Sequence, residues 1–196
     1  MSVNATLDRR EAVAELLVNR GELLVVTGLG SPSYDVFAVE DNPRNFYLWG
    51  AMGSASLIGL GLALAQPDHS VLVITGDGEQ LMALGGLATI GARQPQNLSI
   101  AVLDNGHYGE TGMQQSHTSF GTSLSQTAKA CGIADSRDIH DLETLREYRT
   151  QLRNATAGPR FATLKVMADT PPRALPPKDG VYLKNRFRQS LGYEVL

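Results

Sequence analysis

Apolar positions along this chain follow two rhythms. Over residues 7–20 they fall at helical spacing. Ala12, Val13, Leu16 and Leu17 share one side, and Gly21 follows as a stop. Elsewhere they form short, nearly all apolar runs at 23–27, 71–75, 98–103 and 161–166, with a briefer one at 46–48. Such runs read as strands buried on both faces. Between them, 53–65 predicts a helix of small residues that ends before Pro67. Residues 79–94 predict another, with glycines at 85, 86 and 91. Residues 141–154 predict a third, with Leu142, Leu145 and Leu152 toward the core. After the first strand comes Gly28-Leu29-Gly30-Ser31-Pro32, where Ser31 would cap a helix that has Pro32 at its first position. Strands that alternate with helices, each strand nearly all apolar, predict an α/β fold: a parallel sheet with helices on both faces.

The pattern breaks from Thr170 onward. Pro171, Pro172, Pro176 and Pro177 precede Lys184, Arg186 and Arg188, which surround Phe187 and follow Tyr182. The expected division is an α/β domain over 1–169 and a C-terminal arm over 170–196. The arm is either a partly disordered end or a strap on a partner.

Composition narrows the function. A length of 196 residues suits one domain, and a net charge of −3 argues against nucleic acid as the partner. One cysteine, Cys131, leaves no disulfide framework, cysteine zinc site or iron–sulfur cluster in this chain. The opening residues lack the apolar core of a signal peptide. The longest apolar run, 57–65, is about half a membrane span. No membrane association and a cytoplasmic setting are therefore expected.

The candidate chemistry lies at two strand ends. The run at 71–75 leads into Gly76-Asp77-Gly78-Glu79. Then 26 residues (79–104) intervene before Asn105-Gly106-His107, which follows the run at 98–103. Ligands of open parallel sheets bind outside the carboxyl ends of the strands. Neighbouring strands lie about 4.8 Å apart, so Asp77 and Asn105 could aim oxygens at one spot. Mg²⁺ takes oxygen ligands at about 2.0–2.1 Å and usually shares them with substrate phosphates. Gly76 and Gly78 would let backbone approach a diphosphate, and the amides of Gly78 and Glu79 open the next helix, an anion site.

This Gly-Asp-Gly, 26-residue, Asn arrangement resembles the cofactor motif of the thiamine diphosphate-dependent enzymes. The resemblance implies thiamine diphosphate and Mg²⁺ as cofactors. Asp77, Asn105 and the backbone carbonyl of His107 would be the metal ligands. Trp49-Gly50-Ala51-Met52-Gly53 is similar to the family's run before a small-residue helix. It would make Met52 the wedge between the cofactor's rings and the Gly50 carbonyl the acceptor of the 4′-amino group. The run from Asn105 through Tyr108, Gly109 and on to Thr118, with the segments at 46–50 and 181–187, resembles the sulfopyruvate and phosphonopyruvate decarboxylases. That implies decarboxylation of a small anionic 2-oxo acid to an aldehyde and CO₂. Glu110, Thr111, Gln114, Ser116, His117 and Thr118 could contact substrate or cofactor. Glu110 would approach the reacting carbon, and His107 and His117 would steer the second anion or carry protons. The glutamate that activates N1′ in this family comes from a pyrimidine-binding domain. No motif here places Glu79 or Glu110 at N1′. The resemblance therefore implies a hetero-oligomer with a separate pyrimidine-binding (alpha) subunit. Open alternatives are a related enzyme with another 2-oxo acid, a carboligase, an oxidoreductase beta subunit, and a non-catalytic Mg²⁺–nucleotide module.

Overall fold

A computed structural model describes residues 7–154 and 157–195. Its sheet strands are β1 (Leu24–Thr27), β2 (Asn45–Tyr47), β3 (Val71–Gly76) and β4 (Leu98–Asp104). A short hairpin follows, β5 (His107–Tyr108) and β6 (Gln114–Gln115), and then the sheet strands β7 (Asp135–Ile139) and β8 (Arg160–Lys165). The helices are α1 (Arg9–Leu17), α2 (Ser31–Val39), α3 (Ala55–Ala65), α4 (Asp77–Met82), α5 (Leu84–Arg93), α6 (Leu124–Ala130), α7 (Leu142–Gln151) and α8 (Gly180–Ser190).

All six sheet strands run parallel, in the order β2-β1-β3-β4-β8-β7. Side chains alternate across the sheet. Leu72 and Ile74 of β3 enter one core layer with Ala12 and Leu16 of α1 and Leu145 and Tyr148 of α7. Val71 and Val73 enter the other with Leu60 of α3, Ile90 of α5 and Ala128 of α6. The expected fold class, a parallel sheet with helices on both faces, is what the chain adopts. Its order reverses between β1 and β3, because the chain leaves β1 toward β2 and returns on the far side. Such a reversal opens a crevice at the strands' carboxyl ends.

Several boundaries differ from the sequence expectation. Asp8 caps α1 by accepting the Glu11 amide at 2.8 Å, so that helix starts at Arg9, while Leu7 bridges to Val166 beside the sheet. The cap of α2 is Gly30, at φ +77°, and not Ser31; Ser31 and Pro32 lie inside the first turn. The single helix expected over 79–94 is two helices, α4 and α5, broken at Ala83. Both pieces rest on α3: Gln80 accepts from Ser56 Oγ at 2.5 Å, and a Cβ at Gly86 would lie 3.2 Å from Leu57 Cγ.

Two elements had no apolar signal. β7 reads Asp-Ser-Arg-Asp-Ile, and charge on an edge strand discourages pairing with other chains. α6 is short and polar and is capped by Ser123. The tail carries α8, whose Leu183 and Phe187 are buried. Phe187 packs edge-on against Phe46 of β2, centroids 5.6 Å apart, so α8 covers the opposite sheet edge. Trp49 Nε1 donates to the Pro177 carbonyl at 2.7 Å, which ties the proline-rich stretch to the same edge. Val181 and Tyr182 of α8 point outward. Among the described residues, no helix is long and apolar enough to cross a membrane.

Candidate active site at the carboxyl ends of the strands

A cavity of about 310 Å³ opens where β1, β3 and β4 end. β3 delivers Gly76 to its wall, and Asp77, Gly78 and Glu79 follow as the first turn of α4. β4, in register with Gly76 opposite Leu103, delivers Leu103 and Asn105. The hairpin supplies His107 and Tyr108, and Gly109, Glu110 and Thr111 follow. Met52 lines the cavity from the loop before α3 and is 61% exposed.

Asp77 is buried at 3% exposure. Its Oδ2 accepts from the Ser116 hydroxyl. Burial pushes its carboxyl up to about 6. The Ser116 hydrogen bond opposes that shift, and the nearby Asp104 charge adds to it. Asn105 Oδ1 accepts the His107 amide at 2.9 Å. A carbonyl oxygen has two lone pairs, so one remains free for a cation. The His107 ring turns back, with Nδ1 2.8 Å from the Asn105 carbonyl. Gly78 faces the Tyr108 ring: a Cβ there would lie 2.7 Å from Cδ1. The side-chain-free face of Gly78 therefore meets an aromatic ring, while Gly76 has only Pro32 nearby.

Glu79 lines the cavity, but its carboxylate is tied to the loops that frame it. Oε2 accepts the Leu29 amide at 2.9 Å and the Thr75 hydroxyl at 3.0 Å. Burial raises this carboxyl above its ordinary range, against those two hydrogen bonds. The contact requires glycine at 28, because a Cβ there would sit 2.0 Å from Glu79 Oε2 and 2.6 Å from Thr75 Oγ1. Gly28→Ala is expected to displace Glu79 and to cost about 2 kcal/mol, the middle of the overpacking range. In a chain of this size that lowers the melting midpoint by roughly 4–8 °C, readable by calorimetry. An unchanged midpoint would show that Glu79 moves aside freely.

The remaining candidates scatter. Glu110 lies at the rim, accepting Ser31 Oγ at 2.9 Å and pairing with Arg173 at 3.0 Å. That ion pair brings the tail to the cavity. His117 is outside the lining and touches it only through the Tyr108 hydroxyl, 3.1 Å from its Nδ1. Gly50 is exposed and outside the lining. Gly53, at φ +84°, packs on Met82 and is also outside it. Ser116 is fully buried and sits behind Asp77. Sequence reasoning missed Arg9, Leu29, Pro32 and Met82, which line the same cavity. The available signal was the glycine-rich segment at 28–32. It follows a strand that neighbours β3, so it lies at the same sheet end.

Comparisons with known proteins agree with this geometry. The thiamine pyrophosphate enzyme family, through its C-terminal TPP binding domain, matches residues 30–166. The sulfopyruvate decarboxylase subunit beta of Methanocaldococcus jannaschii is 43% identical over 148 residues, 75% of this chain and 76% of that subunit. The phosphonopyruvate decarboxylase of Streptomyces viridochromogenes is 41% identical over 144 residues, 72% of this chain but 35% of that protein. In fold, the chain resembles the 4-hydroxybenzoylformate decarboxylase of Rhodococcus jostii RHA1. The TM-score is 0.70 at 19% identity, covering 86% of this chain and 34% of that one.

Proposed function

This chain belongs to the thiamine pyrophosphate enzymes, and from that premise we propose that it is the diphosphate-binding subunit of a Mg²⁺-dependent 2-oxo acid decarboxylase acting on sulfopyruvate or phosphonopyruvate. One observation carries the reading. Asp77 and Asn105, at the ends of adjacent strands, line one cavity in a chain 43% identical to a sulfopyruvate decarboxylase beta subunit.

The donors fit the proposed ion. Asp77 offers a buried carboxylate, Asn105 a free lone pair, and His107 a backbone carbonyl. An all-oxygen set suits a hard cation. Among the described residues no group of three His, Cys, Asp or Glu side chains could hold a metal ion by itself. The ion would therefore rely on the single Asp77 carboxylate, on the amide and backbone carbonyl oxygens of Asn105 and His107, and on the diphosphate itself. When bound, thiamine diphosphate supplies the electron sink for loss of CO₂.

This chain's residues hold and orient. Met52 would wedge the bent cofactor, with the Gly50 carbonyl and the Gly53 turn beside it. Gly76 leaves the backbone open to the diphosphate. Tyr108 and Gly109 also line the cavity and would wall the cofactor. Glu110 would hold or pass a proton at the rim, His107 is the nearer histidine for the second anion, and His117 would act through Tyr108.

The N1′-activating glutamate would come from a pyrimidine-binding alpha subunit. Support for that arrangement is the name of the 43% identical relative, a subunit beta, of which this chain covers 76%. The single cysteine suits a cytoplasmic location.

The test is CO₂ release from sulfopyruvate, phosphonopyruvate and pyruvate, with thiamine diphosphate and Mg²⁺. The chain alone is expected to show no turnover, and the co-expressed pair is expected to favour a substrate with a second anion. Turnover by the chain alone would refute the two-subunit arrangement. Calorimetric binding of a nucleotide in place of thiamine diphosphate would refute the cofactor assignment.

A further inference from the structure

Behind Asp77 lies a continuous set of polar side chains. The buried Ser116 hydroxyl donates to Asp77 Oδ2 and lies 2.9 Å from Thr118 Oγ1. Thr118 donates to Asp104 Oδ1 at 2.7 Å; its distance to Asp77 Oδ2 is 3.4 Å. Lys165, at the end of β8, pairs with Asp104 Oδ2. Each hydroxyl has one hydrogen, so the geometry assigns Ser116 to Asp77 and Thr118 to Asp104. Asp104 also accepts the Gly106 amide at 3.0 Å, and the Gly106 carbonyl accepts the Ser116 amide at 2.7 Å. The set therefore joins the end of β3, which carries Asp77, to the 105–119 loop, which carries Asn105 and His107.

We propose that Ser116 and Thr118 are positioning residues for a divalent cation held by Asp77. The Ser116 hydroxyl pins Asp77 Oδ2 inward and leaves Oδ1 as the ligand, while Thr118, held on Asp104, which in turn pairs with Lys165, backs Ser116 with its Oγ1 2.9 Å from the Ser116 oxygen. No side chain among the described residues donates to Oδ1. The pin also fixes Asp77 against Asn105, because Ser116 bonds Asp77 through its hydroxyl and the Gly106 carbonyl, next to Asn105, through its amide. Partners of metal ligands orient the ligands in this way, and their removal commonly weakens metal affinity 10–100-fold. Lys165 balances Asp104, which would otherwise be a second uncompensated buried carboxylate.

This inference rests on the reading of Asp77 as a metal ligand, and the test separates the two. Mn²⁺ is titrated by electron paramagnetic resonance, with thiamine diphosphate present, on the full chain in the assembly in which it is isolated. The set comprises wild type, Ser116→Ala, Thr118→Val, Thr118→Ser and Asp77→Ala. Ser116→Ala and Thr118→Val are expected to bind Mn²⁺ 10–100-fold more weakly and to broaden the bound-ion spectrum. Thr118→Ser, which keeps the hydroxyl, is expected to bind as wild type. If Thr118→Ser is as weak as Thr118→Val, the effect is one of shape and the inference fails. If Asp77→Ala loses Mn²⁺ while Ser116→Ala and Thr118→Val bind it normally, the positioning role fails and the ligand assignment stands. If Asp77→Ala binds Mn²⁺ normally, both fail.

Discussion

Asp77→Ala is expected to lower the affinity for thiamine diphosphate with Mg²⁺ by at least about a hundredfold. Removing one member of a buried charge pair costs roughly 3–5 kcal/mol, and each 1.4 kcal/mol is about tenfold in affinity. The variant is expected to fold. Burial already disfavours the Asp77 charge in the metal-free protein, so deleting it removes a destabilising group, at the cost of the acceptor that Ser116 uses. Binding and folding are thus separable. Calorimetric titration with the cofactor should show the loss, and the melting midpoint without metal should stay near that of wild type. Retained affinity in a folded variant would sink the metal assignment.

The second large effect is pH dependence. Asp77 in the metal-free protein titrates near 6, above its unfolded value of about 3.9. The fold therefore favours the protonated acid. The contribution of Asp77 to stability is fully present below about pH 4 and is lost as pH rises through about 6, roughly 3 kcal/mol in all. Metal binding has the opposite sign, because the ligand must be the carboxylate. Apparent Mg²⁺ affinity is expected to be level above about pH 7 and to fall roughly tenfold by pH 5, with proton uptake on release. Below that it should drop about tenfold per unit. Titrations at pH 5, 6, 7 and 8 in buffers of different ionisation heat would read both the affinity and the proton. Equal affinity at pH 5 and 7 would rule out Asp77 as the titrating ligand.

The elements legible in the chain were those with a strong hydrophobic rhythm. β1, β3, β4 and β8 are largely apolar because their strands are buried on both faces. β7 escaped the same reading because an edge strand has one open side, and its Asp and Arg residues look like a loop. α8 was obscured by the prolines before it, although Leu183 and Phe187 stand four apart, as one helix face requires. The break between α4 and α5 carried no signal along the chain, and the residues that pack on either side of it, Ser56 and Leu57, lie on α3.

The candidate site divides in the same way. Asp77, Asn105 and their glycines sit at strand ends, so counting along the chain was enough to place them at one end of the sheet. The residue types suited a diphosphate and a hard cation, and the resemblance to the thiamine diphosphate-dependent enzymes supplied the chemistry class. Those conclusions needed only local order, because strand direction and the β–α–β crossover are largely set by nearby sequence. The environment of each group was decided by tertiary structure alone. It buried Asp77 and raised its carboxyl, turned Glu79 onto Leu29 and Thr75, paired Glu110 with Arg173 from the tail, and put Ser116 behind Asp77 and not in the cavity. Burial, ion pairing and hydrogen-bond direction depend on which distant segments meet, and the sheet brings those segments together through contacts that no local pattern encodes.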